Sequence, residues 1–181
     1  GFLYAAITHH LGFKAFFDEW KVMGMAAYGT PKYLRKFQEL IKVTDDGHFE
    51  LNLKYFKFHV CGQKQWLAPL FDSEFCPPRN PKAEYLQEHF DLAFALQKTT
   101  EAVGVRLAQN LKKMTGEKSL CLAGGVIFNV LLNKKIMEDS GFEDFFIMPL
   151  AGDAGTSYGS ALYVHHQILG NTERKTFLSP Y

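Results

Sequence analysis

Three stretches of the chain set small, backbone-exposing residues beside side chains that can hold a ligand or an ion. The first is Leu122-Ala-Gly-Gly-Val-Ile-Phe-Asn129, where paired glycines stand between a short apolar run and a helical pattern. Lacking a Cβ, Gly124 and Gly125 let a ligand approach the backbone closely, and the helix that follows offers N–H groups suited to an anion. Asn129, one turn into that helix, can both donate and accept hydrogen bonds. A glycine pair also serves a tight turn or close helix–strand packing, so these residues alone leave both readings open. The second stretch is Pro149-Leu-Ala-Gly-Asp-Ala-Gly155, an acid among small residues after a strand and before a helix. Asp153 there suits a metal or a nucleotide, and equally suits capping a helix that starts near Thr156. The third, Asp18 to Gly29, carries Glu19 and Lys21 in an otherwise apolar segment closed by glycines. Its charges form either a face that reaches phosphates or ribose, or a surface ion pair of small energetic value.

Other chemistry-bearing residues lack a pattern. His9-His10 and His165-His166 are adjacent pairs that point apart on a helix, and there is no His-x-x-x-His or H-E-x-x-H. No cysteine or serine sits in a nucleophile motif, so a covalent enzyme intermediate is not expected. Three cysteines, Cys61, Cys76 and Cys121, make an odd set without C-x-x-C spacing, which disfavours a disulfide framework and suits a reducing cytoplasm.

The elements that must position these stretches follow from periodicity. Phe2–Leu11 and Asp18–Ala27 read as short buried helices, and Tyr33–Val43 as an amphipathic helix. Asp45-Asp46-Gly47 signals a turn. Phe49, Leu51, Leu53 and Tyr55 alternate as in a half-buried strand, and Cys61–Pro81, holding four of seven prolines, reads as a surface loop. The longest helical pattern runs from about Ala83 to Met114, where Leu86, Phe90, Ala93, Phe94, Gln97, Glu101, Val105, Ala108 and Leu111 recur at spacings of 3 and 4. Then come a strand at Ser119–Ala123, a helix at Val126–Met137, a strand at Phe145–Met148 and a closing helix at Thr156–Leu169. This alternation predicts an α/β domain. If the two strands are parallel neighbours, their following loops open on one side.

At 181 residues with 47% hydrophobic side chains, the chain has room for one sizeable core. Twenty basic against 19 acidic residues give a net charge of +1, which argues against broad nucleic-acid binding. The clusters Lys32, Arg35 and Lys36, and Lys112 and Lys113, read as solvated helix faces. No apolar run is long enough to span a membrane, and no secretory leader is recognisable. An opening at Gly1 without Met and an end at Tyr181 suggest a piece of something longer.

Together, "DEWKVMGMAAYG" (Asp18–Gly29), "DLAFALQKTTE" (Asp91–Glu101), "TGEKSLCLAGGVIFN" (Thr115–Asn129) and "FEDFFIMPLAGDAGTSYGSALYV" (Phe142–Val164) resemble the O-carbamoyltransferases of nodulation-factor and antibiotic biosynthesis. They are also similar to the tRNA threonylcarbamoyl-transfer proteins. The resemblance implies a ribonuclease-H-like half of an actin-like fold (the acetate/sugar kinase, heat-shock and actin group), with residues 1–181 the second half of the transferase domain. It implies an enzyme that makes carbamoyl-adenylate from carbamoyl phosphate and ATP. The carbamoyl group then passes to a hydroxyl of a sugar or natural product at a site holding a divalent ion, iron or magnesium. By position, Gly124, Gly125 and Asn129 would contact adenosine or ribose, and Asp153 would bind the metal. Glu19, Lys21 and Gly24 would line the nucleotide site. Bulky Ile127 and Phe128 would narrow it. The family's His-x-x-x-His pair and adenylate-forming domain would lie outside these 181 residues, as partners of this chain, with homodimerisation open. The competing readings are a non-catalytic actin-like interaction module and transfer to tRNA.

Overall fold

The computed structural model describes residues 1–44 and 48–174. Its spine is one long helix. Helices α1 (Phe2–His10), α2 (Glu19–Met25) and α3 (Leu34–Phe37) precede a two-stranded antiparallel sheet of β1 (Ile41–Val43) and β2 (Phe49–Leu51). Two short helices follow, α4 (Phe58–Cys61) and α5 (Pro69–Glu74), and then α6 (Gln87–Thr115), 29 residues long. The last third is β3 (Ser119–Leu122), α7 (Val130–Asp139), β4 (Asp144–Ile147) and α8 (Gly155–Tyr163), which continues as a π-helical turn to Ile168. The mixed α/β class is as the alternation implied. No helix among the described residues is long and apolar enough to cross a membrane.

Two clusters of the core lie along α6. Its N-terminal half contributes Leu92, Ala93, Ala95 and Leu96 to a cluster with Ile7, Leu11, Val22, Phe37, Phe56 and Phe71. Its C-terminal half packs Ala108 against Leu120, Leu132, Ile136 and Phe142. Gly104 permits the second packing, because a Cβ there would stand 2.5 Å from Leu132 Cδ1. Gly116, left-handed at φ 70°, ends the helix where Thr115-Gly116 predicted a stop.

β3 and β4 pair in parallel, Ser119 opposite Asp144 and Leu122 opposite Ile147, with α7 as the crossover. The pairing continues past the strands, Met148 N donating to Leu122 O at 3.1 Å and Gly124 N to Ala151 O at 2.7 Å. Both loops therefore leave the same edge of the sheet, tied to each other.

Several elements differ from expectation. The Tyr33–Val43 helix stops at Phe37. Turns through Glu39 and Leu40 then lead into β1, so the 3/4 spacing marks the buried residues Tyr33, Phe37 and Leu40 without a continuous helix. The strand expected over Phe49–Tyr55 ends at Leu51, and Leu53–Tyr55 is a 3₁₀ turn that buries Tyr55. Cys61–Pro81 is not a surface loop. Pro69 starts α5, Phe71 and Phe75 stack at 4.5 Å, and Trp66, Cys76 and Arg79 are buried. The Arg79 guanidinium lies over Phe13 and Tyr85 and donates to the carbonyls of Leu11 and Ala83. The closing helix is present as α8 with its π-helical extension, and α8 itself contributes no buried residue. The Asp45–Gly47 turn lies outside the described residues.

The loop after α2 is fastened to α6 by Asp91. Its Oδ1 accepts from Thr30 N (2.7 Å), Thr30 Oγ1 (2.9 Å) and Gln87 Nε2 (3.0 Å). Burial raises the Asp91 pKa, but the hydrogen bonds from Gln87 and Thr30, with Lys32 nearby, outweigh it and hold the carboxyl below its usual 3.8. A depressed carboxyl contributes stability above its unfolded value and loses it as pH falls through the folded one. Thermal melts of full-length protein should therefore show Asp91→Asn less stable than wild type at pH 7, with the gap closing below about pH 4. The same loop approaches α6 so closely that a Cβ on Gly29 would meet Phe90 O at 2.1 Å and Phe94 Cβ at 2.6 Å. Gly29→Ala should cost about 1–3 kcal/mol, read as a lowered denaturation midpoint.

Candidate functional site

The three stretches singled out above converge on one cavity of about 540 Å³. One wall comes from α1 through Phe2, Tyr4 and Ala5, with Phe16 and Phe17 from the turn that follows and Glu19, Trp20 and Met23 from α2. The rest of the lining is Gly125, Val126, Phe128 and Asn129 from the loop after β3, with Gly152 and Asp153 from the loop after β4. Aromatic rings dominate the first part; the second sets backbone and polar groups beside Val126 and the Phe128 ring.

Each polar group is placed by an identifiable local cause. Gly124 takes φ 100° and ψ 155°, an angle that glycine reaches freely and other residues rarely, and this turns the chain out of β3. The chain then makes a 3₁₀ turn over Gly125–Phe128 rather than entering a helix at once. Asn129 is consequently not one turn inside α7 but its N-cap, accepting from Leu132 N at 3.0 Å. Its amide also makes a reciprocal pair with Gln97 of α6. Gln97 Nε2 donates to Asn129 Oδ1 at 3.0 Å, and Asn129 Nδ2 donates to Gln97 Oε1 at 2.8 Å. Gln97 is buried and accepts in addition from the Tyr4 hydroxyl at 2.9 Å. Burial, then the charges of Glu19 and Glu101, push the Tyr4 phenol well above its ordinary value, so it stays a donor.

Asp153 does not cap α8: the helix has no side-chain cap, and Thr156 bonds the Asp153 carbonyl instead, from its N–H at 3.1 Å and its hydroxyl at 2.6 Å. The carboxylate is left exposed on the cavity wall. Its neighbour Gly152 lies under Phe128, where a Cβ would stand 2.7 Å from Cε2 of the ring. The Phe128 ring thus packs on the Gly152 backbone and joins the lining, while Ile127 does not line the cavity. Glu19 Oε1 accepts from Phe16 N at 2.6 Å. That bond holds Phe16 at φ 68°, an unusual position for a bulky side chain, with its ring in the cavity wall.

Of the residues named from sequence, Glu19, Gly125, Asn129 and Asp153 line the cavity. Gly124 shapes the turn beside it. Lys21 is half-buried away from the lining, paired with Asp18 at 2.8 Å, and Gly24 is exposed on α2 with open space around it. Sequence reasoning passed over Tyr4, Gln97 and the aromatic group Phe16, Phe17 and Trp20. Gln97 had a signal, as a polar residue in the apolar stripe of α6. Among the described residues, no three metal-binding side chains cluster.

With this geometry in view, the class is settled by comparison. Residues 1–162 match the family model described as Carbamoyltransferase N-terminus, and the chain belongs to that carbamoyltransferase family. It is similar to the nodulation protein NolO of Bradyrhizobium diazoefficiens, 32% identical over 93% of this chain and 28% of the relative. The nodulation protein NolNO of Sinorhizobium fredii is 31% identical over 100% of this chain and 25% of its own length. An uncharacterized protein of Synechocystis sp. is 38% identical over 94% of this chain and 28% of its own length. The chain therefore spans about a quarter of the length of these relatives.

The two glycines should respond differently to alanine. A Cβ meets nothing within 4 Å at either position, but only Gly124 has a positive φ. Gly124→Ala should destabilise full-length protein by about 1–2 kcal/mol through backbone strain. Gly125→Ala should leave the denaturation midpoint nearly unchanged.

Proposed function

We propose that this chain forms part of the carbamoyl-transfer site of a longer O-carbamoyltransferase, within one half of an actin-like domain. The observation that carries the reading is the convergence of the Asp18–Gly29, Gly124–Asn129 and Pro149–Gly155 stretches on a single cavity. Family membership supplies the reaction class. The parallel β3–α7–β4 unit, with both loops at one edge, is the arrangement that open α/β sheets use for ligands.

In this reading the cavity takes the nucleotide end of carbamoyl-adenylate. The exposed backbone at Gly125 lets its ribose or phosphate come close, Asn129 donates a hydrogen bond, and the rings of Phe128 and Trp20 supply flat apolar contacts. An acceptor hydroxyl of a sugar or natural product attacks the carbamoyl carbon. The new C–O bond forms as the bond to the phosphate oxygen breaks, AMP leaves with that electron pair, and the hydroxyl proton is released. Holding the two reactants together removes much of the entropic barrier. No nucleophile from the protein is needed.

The donor set fits a divalent ion only in part. Asp153 offers one free carboxylate; further ligands would come from residues outside those described here. Such an ion, when bound, would polarise the carbamoyl carbonyl. The protein's own part is to hold Asp153 at the cavity wall through the bonds that anchor its backbone to Thr156.

Calorimetric titration of AMP into full-length protein tests the reading. Gly125→Val fills the cavity without meeting protein atoms at its Cβ, so AMP affinity should fall by about tenfold or more while the fold is kept. Carbamoylation of the acceptor should fall with it. Unchanged affinity and unchanged turnover in that variant would remove the nucleotide from this cavity.

A further inference from the structure

We infer that Gln97, a buried residue of α6, is a positioning residue for the nucleotide site, acting through Asn129; this rests on the reading above. A side-chain amide has two N–H donors and an oxygen that takes two bonds. Asn129 Oδ1 is filled by Leu132 N and by Gln97 Nε2, each at 3.0 Å. One Nδ2–H goes to Gln97 Oε1 at 2.8 Å. The second Nδ2–H lies within reach of the Tyr4 hydroxyl oxygen, so a ligand at this amide competes with Tyr4 for one N–H donor.

Which way each amide points is fixed from two independent ends. At one end, Glu101 is acceptor-only when ionised, and its Oε1 takes Gln97 Nε2 at 2.9 Å while its Oε2 takes Lys98 Nζ at 2.8 Å. That sets the amino group of Gln97 towards Glu101. The Tyr4 hydroxyl, held as a donor, sets Gln97 Oε1 on the other side. At the other end, the Leu132 N–H can bond only an oxygen and sets Asn129 independently. Both ends demand the same orientation. Gln97 is 1% exposed and all four of its hydrogen-bonding sites are used, so it has no role with solvent and none open for a ligand.

A buried amide could also serve only to join α1, α6 and the loop. The two roles separate in a double-mutant cycle on full-length protein, with AMP affinity as the readout and melting temperature measured alongside. Gln97→Glu cannot donate to Asn129 Oδ1 and faces Glu101 with like charge. AMP binding should weaken about tenfold in Gln97→Glu and also in Asn129→Ala. In the double variant it should weaken by less than about twofold beyond Asn129→Ala alone, because the effect of Gln97 passes through the amide already removed. If Gln97→Glu fails to fold, Gln97→Met, similar in length and uncharged, takes its place with the same expectation. Full multiplication of the two single effects would overturn the proposal, as would wild-type affinity in the Gln97 variant beside a weakened Asn129→Ala. Absence of AMP binding by wild-type protein would instead overturn the nucleotide reading itself, and the proposal with it.

Discussion

The buried polar row on α6 is the constraint on which the placement of the cavity depends. A polar side chain inside a packed helix face is costly unless every group finds a partner, and then it specifies one arrangement of its neighbours. Asp91 meets this condition by binding Thr30, which fixes the loop beyond α2. Gln97 meets it by binding Tyr4, Glu101 and Asn129, which joins α1 and the glycine loop across the helix. Gly104, further along, lets α7 close on α6. At 1.5 Å per residue the 29-residue helix is about 43 Å long, so one element can reach both core clusters and register their loops against each other.

This arrangement explains why some elements were legible in the sequence and others were not. α1, β3 and β4 could be read as short apolar runs between clear stops, and α6 from its 3/4 spacing. The Tyr33–Val43 segment has the right spacing for a helix, and Tyr33, Phe37 and Leu40 are indeed buried, but the chain breaks after Phe37 to reach the β1–β2 hairpin. Spacing reports which residues face the core; it does not report whether the backbone between them stays helical. Proline content misled over Cys61–Pro81 for a similar reason. Pro69 sits at the start of α5, where a missing N–H costs nothing, and Phe71 and Phe75 anchor the segment in the core.

The candidate site was legible where local pattern and function coincide. Paired glycines after a strand, and an acid among small residues after another, are visible in a line of text, and the parallel pairing of β3 with β4 brings them together. Gln97 was not legible as the partner of Asn129, nor Tyr4 as the partner of Gln97, because contacts across 32 and 93 residues depend on the packing of three elements. Lys21 and Gly24, which the resemblance grouped with Glu19, lie off the cavity lining, since the helical twist of α2 turns them away from it.

The cavity is chemically two-sided, and that asymmetry restricts what can lie in it. Phe2, Phe16, Phe17 and Trp20 give one wall a nearly continuous apolar face, and Glu19 is its one charged group. The other wall presents the Gly125 backbone, the Asn129 amide and the Asp153 carboxylate, with Phe128 folded over Gly152 between them. A ligand that is polar all round would lose its water against the aromatic wall without recovering those hydrogen bonds, a cost of a few kcal/mol for each unpaired group. A wholly apolar one would strand the amide and the carboxylate. The lining suits a molecule with one flat apolar face and one hydrogen-bonding edge.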